Sequence, residues 1–237
     1  MRTSRLEAFS DGVLAIIITI MVLELREPAR SDLASLVHTT GPGLLSYLLS
    51  FVYVGIYWTN HHHMFQLTAR VTGGILWANL ALLFSLSLFP FTTQWVAATH
   101  FATTPVVVYG VSLLMAGVAY YVLQWTIIRS QGHDSPLRKA IGGDFKGKMS
   151  PVGYIAGCVA AMLGGAGTGA DRLGIWVAVA CYVAVALMWI IPDRRIERRI
   201  ERIQTADTGD PEADPQADLN QFGYPLAAPT GIRGTPS

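Results

Sequence analysis

Gly12-Val13-Leu14-Ala15-Ile16-Ile17-Ile18-Thr19-Ile20-Met21-Val22-Leu23 is an unbroken uncharged run, closed by Asp11 on one side and Glu24 on the other. An α-helix rises 1.5 Å per residue, so about 20 mostly apolar residues cross a hydrocarbon core roughly 30 Å thick. Further runs of this kind follow it, and six candidate spans are placed at about 6–25, 43–64, 71–95, 105–128, 151–169 and 172–191. The composition agrees. Of 237 residues 51% are hydrophobic and 14% charged, against about 25% charged in soluble domains. The reading is an all-α polytopic membrane protein with six transmembrane helices. The fifth span is the weakest, because Gly153, Gly157, Gly164, Gly165, Gly167 and Gly169 dilute it, although small residues let helices approach closely in lipid.

Charge placement sets the expected topology. Arg2 and Arg5 precede the first span, Arg70 follows the second, and Arg129, Arg138, Lys139, Lys146 and Lys148 lie between the fourth and fifth. Arg194, Arg195, Arg198, Arg199 and Arg202 follow the sixth. An even number of spans puts all of these on one side and leaves Arg26, Arg30 and Arg172 on the other. The positive-inside rule then makes the chain a multi-pass cell-membrane protein with both termini cytoplasmic. No small-residue cleavage site follows the first apolar run, so it is expected to stay as a helix. The membrane region is assigned to residues 1–192. A basic cytoplasmic helix extension is expected over 193–204, where Glu and Arg alternate with isoleucine, and a disordered tail over 205–237, rich in Pro, Gly, Ala and Asp.

Several function classes lose ground at once. A net charge of +1 gives no reason to expect nucleic acid as a partner. Cys158 and Cys181 both sit in apolar stretches, as small buried hydrophobes do. Asn60-His61-His62-His63 invites a metal, yet consecutive helical residues point about 100° apart, whereas helical zinc ligands stand three or four residues apart. No cofactor is expected. No Gly-x-Ser-x-Gly or paired catalytic carboxylate appears, so the chain is not read as an enzyme. A histidine from this run is expected to hydrogen-bond within the subunit, in a network with Asp11 or Arg5, where it could confer pH sensitivity.

Asp11 is an ionisable group near membrane depth, which marks a functional position with a partner. On a helical wheel Ile16, Ile20 and Leu23 fall within about 60° of one another, Thr19 stands beside them and Phe9 returns to the same face. Ser10 and Asp11 point elsewhere. Such a stripe packs on another helix or, in a symmetric oligomer, forms aliphatic rings that gate by dewetting. Spacing alone does not choose.

Arg5-x-x-x-Phe9-Ser10-Asp11-Gly12 at the head of a first membrane helix resembles the hallmark of the transmembrane protein 175 family of potassium channels. Trp58-x-x-His61-His62-x-x-Phe65, then Asn79 and Pro90-Phe91-Thr92, extend the resemblance over residues 5–95. It implies a prokaryotic six-helix subunit in a homotetramer, with the first helix lining a central pore and no carbonyl filter loop. Carried onto this sequence, the pore rings fall on Ile16, Ile20 and Leu23, with Thr19 as a polar layer. Arg5, Phe9, Ser10, Asp11, Gly12, Trp58, Asn60, His61, His62 and Asn79 become a scaffold for that helix. The implied function is a moderately selective potassium channel passing potassium and other monovalent cations, with the tetramer's own copies and membrane lipids as partners. Glu24 and Glu27 would stand near the outer mouth and raise the local cation concentration. A secondary transporter or a non-transporting membrane assembly protein is the alternative.

Overall fold

In the computed structural model, residues 3–28, 30–68, 70–133, 135–141, 145–164 and 171–190 are described. The 193–204 extension and the 205–237 tail lie outside them. Within them the apolar runs are helical, because hydrocarbon offers no partner to an open N–H or C=O and a helix satisfies each within its own segment. The order is α1 (Thr3–Leu23), α2 (Leu33–Thr39), α3 (Gly41–Gln66), α4 (Gly73–Ser87), α5 (Phe89–Ala98), α6 (Thr103–Gln131), α7 (Pro136–Ile141), α8 (Phe145–Gly164) and α9 (Asp171–Ile190).

The short α2 was not foreseen. Asp32 starts it, its Oδ1 accepting from the Ser35 N–H at 2.6 Å, a cap that the sequence carries but that no apolar run accompanies. The third span, expected as one helix over 71–95, is two helices that together run Gly73–Ala98. Pro90 lies in the first turn of α5. It has no N–H to donate and its ring crowds the carbonyl of Leu86, four residues back, so the α4 ladder stops. The ladder resumes when the Thr92 N–H donates to the Leu88 carbonyl at 3.0 Å.

Hydrogen bonds at the helix ends fix the alternation. Thr3 Oγ1 donates to the Thr68 carbonyl at 3.3 Å, and Gln131 Nε2 to the Leu67 carbonyl at 2.6 Å. The start of α1 and the ends of α3 and α6 therefore share one end of the bundle. Trp189 Nε1 donates to Ser150 Oγ at 2.8 Å, bringing the end of α9 to the start of α8. At the opposite end Thr40 Oγ1 donates to the Arg26 carbonyl at 2.7 Å, and the Phe101 ring stacks on Trp176 with centroids 5.6 Å apart. Arg5, Arg70, Arg129, Arg138, Lys139, Lys146 and Lys148 gather at the first end, while Arg26, Arg30 and Arg172 stand at the second.

Five segments are long and apolar enough to cross a membrane: Thr3–Leu23, Gly41–Gln66, Gly73–Ala98, Thr103–Gln131 and Arg172–Ile190. The sixth, α8, begins at Phe145 rather than near 151, and Lys146 and Lys148 in its opening turns lower its hydropathy. Its 20 residues still span about 30 Å, and it lies along α6 and α9. Glycine makes that contact: a Cβ on Gly157 would enter the Tyr182 ring, and one on Gly110 the Tyr182 hydroxyl. Tyr53 donates its hydroxyl proton to the Tyr182 carbonyl at 2.6 Å, joining α3 to α9. Cys158 is a free thiol beside Tyr182, its Sγ 3.5 Å from the Tyr182 hydroxyl, and Cys181 is also free. The molecule is an all-α polytopic membrane protein.

Candidate pore helix and its scaffold

The two faces of α1 differ sharply in what covers them. Leu6, Ser10, Leu14, Ile17 and Met21 recur at helical spacing and are buried against α3, α4 and α5. On the other side Phe9, Ile16, Ile20 and Leu23 are 52%, 58%, 43% and 82% exposed within the subunit. Thr19 lies exposed among them. Its hydroxyl donates back to the helix, 3.1 Å from the Ala15 carbonyl and 3.0 Å from that of Ile16. That leaves the oxygen lone pairs as the outward polar feature of an otherwise aliphatic stripe.

The covered face is held by an uncharged relay. Ser10, fully buried, donates to the Leu6 carbonyl at 2.9 Å and accepts from Asn79 Nδ2 at 3.0 Å. Asn79 Oδ1 is 2.8 Å from His61 Nε2. An amide oxygen only accepts, so the His61 proton sits on Nε2. The His61 ring packs on Phe65 with centroids 4.5 Å apart. One hydroxyl, one amide and one imidazole thereby join α1, α4 and α3 with no net charge to bury. His61 itself bonds Asn79 rather than Asp11 or Arg5, because it faces α4, and His62 is the member of the run that joins the cluster of Asp11 through Trp58.

A second cluster lies at the surface beside it. Trp58 Nε1 donates to Asp11 Oδ1 at 3.0 Å, and the Trp58 ring stacks on His62. Gln66 Nε2 is 2.9 Å from His62 Nε2, and His62 Nδ1 is 3.8 Å from Glu7 Oε1. Gln66 can only donate through that nitrogen, so the His62 proton lies on Nδ1, toward Glu7. Glu7 and Gln66 escaped the sequence reading. The signal was present, since Glu7 stands four residues before Asp11 and Gln66 four after His62, each pair on one helical face.

Four members of the expected scaffold do not hold α1 within the subunit, the first being Phe9 on the uncovered stripe. Arg5 is exposed and makes no ion pair or hydrogen bond among the described residues; Glu7 and Asp11 stand about 200° and 240° around the helix from it. Gly12 faces open space, where an added Cβ would meet nothing within 4 Å. Asn60 Nδ2 donates to the Ile56 carbonyl of its own helix at 2.8 Å and lines a cavity instead. At the far end of α1, partial burial pushes the Glu24 carboxyl above the usual carboxylate range, and Glu27 is exposed.

Comparison with known proteins places this arrangement. Residues 5–90 match the family described as the endosomal/lysosomal potassium channel TMEM175. A protein named as a potassium channel from Chryseobacterium sp. (strain P1-3) is 49% identical over 201 residues, 85% of this chain and 99% of that protein. Another so named, from Streptomyces collinus, is 33% identical over 154 residues, 58% of this chain and 73% of its own. The crystal structure of a lysosomal potassium-selective channel TMEM175 homolog from Chamaesiphon minutus superposes with a TM-score of 0.64 at 25% identity, over 81% of this chain and 97% of that one. The matched stretch holds both clusters and the uncovered stripe, and the chain belongs to the TMEM175 family as one of its prokaryotic members.

Proposed function

We propose that the chain is a potassium-selective cation channel whose subunits, four to an assembly, turn the open face of α1 onto a common axis. The observation that carries this is the division of α1 itself: one face is fixed by the Ser10–Asn79–His61 relay, and the other leaves Phe9, Ile16, Ile20 and Leu23 without a partner in the subunit. Four copies of that stripe form aliphatic rings at Ile16, Ile20 and Leu23, with Ile16 the narrowest, and such constrictions gate by dewetting. Thr19 sets a ring of hydroxyl oxygens between them. Potassium, as the permeant ion, passes largely dehydrated when the rings widen, and the Thr19 oxygens favour the cation that sheds its water more readily. Glu24 and Glu27 attract cations at the outer mouth. The basic residues gathered at that end of the bundle support a cytoplasmic placement of both termini.

The relatives' names support the choice of ion, and the uncovered stripe supports the choice of helix. Flux of potassium into liposomes holding the purified protein, with sodium in parallel and empty liposomes as control, tests the function. Passive uptake favouring potassium is expected. Ile16→Asn, which wets the narrowest ring, raises the flux and weakens the preference. A folded, assembled protein with no cation flux overturns the channel, and an Ile16→Asn protein matching the parent moves the constriction off Ile16.

A further inference from the structure

At the end of the bundle that carries the N-terminus, α3, α6, α8 and α9 enclose a cavity of about 470 Å³ to which α1 contributes no lining residue. Ligand pockets fall between roughly 300 and 1,000 Å³, so the space is large enough to matter. Three features lie along it in order of depth. Arg138 on α7 and Lys148 on α8 stand at the rim; both are exposed, and neither makes an ion pair among the described residues. Gln124 lies further in on α6, 8% exposed, and its amide has no hydrogen-bond partner among the described residues. Beyond it the walls are aromatic, with Tyr53, Tyr57 and Tyr154 among them, while Trp189 stands nearer the rim beside Ser150. Along α6 the lining runs from Ile128 at the rim to Gly117, about 16 Å of helix at 1.5 Å per residue. Val118, Tyr121 and Trp125 line it from the outer surface of α6, where all three are exposed, so the cavity adjoins the outside of the subunit.

A buried amide without a partner inside a membrane is costly and rare. A pair of cations at the interface, a polar donor below them and an apolar shaft under that donor repeat the layout of a phospholipid. We infer that this cavity holds one molecule of anionic, ester-linked phospholipid from the leaflet at this end of the bundle. Its phosphate sits between Arg138 and Lys148, as basic pockets between membrane helices take anionic head groups. An ester carbonyl accepts from the Gln124 amide, and the acyl chain lies along the tyrosine walls. A zwitterionic lipid would set its own cation against Arg138 and Lys148, and free phosphate would leave the shaft unfilled.

The test is native mass spectrometry of the full-length assembled protein, titrated separately with phosphatidylglycerol, with phosphatidylcholine of the same chains, and with inorganic phosphate. Phosphatidylglycerol is retained in preference to phosphatidylcholine, and Arg138→Gln combined with Lys148→Gln lowers its retention roughly thirtyfold. Gln124→Leu, close in volume, lowers it about fivefold through loss of one hydrogen bond. Arg70→Gln, an exposed cation at the same end but outside the cavity, has no effect. The assembled mass in each spectrum reports that a variant has folded. Equal retention of the two lipids, retention unmoved by the double substitution, or phosphate alone bound as tightly as phosphatidylglycerol each overturns the inference.

Discussion

The helices around α1 and the helices around α9 are joined by different chemistry. Where α1 meets α3 and α4, contact runs through polar atoms: Ser10 to Asn79 at 3.0 Å, Asn79 to His61 at 2.8 Å, and Trp58 to Asp11 at 3.0 Å. Where α8 meets α6 and α9, contact runs through missing side chains, because Gly110, Gly157 and Gly174 let the helix backbones and the Tyr182 ring come together. In lipid the hydrophobic effect does not distinguish one apolar neighbour from another, so helices are joined by directional hydrogen bonds or by close van der Waals fit. A hydrogen-bonded joint specifies rotation about the helix axis, and a fitted joint specifies distance. The pore reading needs the first kind at α1, since rotating that helix by one residue would turn Ile16 and Ile20 away from the axis.

The largest expected effect breaks the fitted joint. A Cβ on Gly174 would stand 2.5 Å from the Ala160 carbonyl oxygen and 2.6 Å from Gly164 Cα, both backbone, so Gly174→Ala must push α8 and α9 apart. A loss of about 3 kcal/mol is expected, read as a lower unfolding midpoint of the detergent-solubilised protein. Next is the polar relay. Asn79→Leu strands the buried His61 ring and removes a donor from Ser10, at about 2 kcal/mol. Adding His61→Leu should cost less than the two single substitutions summed, because both ends of one bond are then gone; additivity would show that the relay is not one unit. The smallest is Trp58→Phe, which keeps the ring against His62 and loses only the bond to Asp11. About 1 kcal/mol is expected at that exposed site, and a larger drop would mean that a neighbouring subunit also uses Asp11.

Flux sharpens the same comparison. Asn79→Leu loosens the rotation of α1 and should alter potassium over sodium preference in whatever protein remains folded. A substitution confined to the fitted joint, such as Gly157→Ala, should lower the amount of folded channel while the survivors keep their preference. Liposome flux normalised to incorporated protein separates the two. Equal loss of preference in both would mean that the halves move as one body.

The membrane class, the six crossings and the grouping of basic residues at one end were legible in the sequence, because they rest on segment length, hydropathy and charge, which are properties of each stretch alone. The covered and open sides of α1 were legible as a wheel, since Ser10 and Ile16 stand about 120° apart whatever surrounds them. Which side would be covered was not, and neither was the partner of His61, because Asn79 and Asp11 are both within reach of α3 until the packing of α4 selects one. The break at Leu88 followed from Pro90 once the chain was folded, yet a proline near a helix end reads equally as a kink or a stop. Gln124 and Arg138 are unremarkable in order along the chain and lie on different helices; only the enclosure of one cavity by α3, α6, α8 and α9 brings them together. Local rules decide what each segment is, and the contacts that give a side chain its role come from residues distant in sequence, which only the tertiary structure assembles.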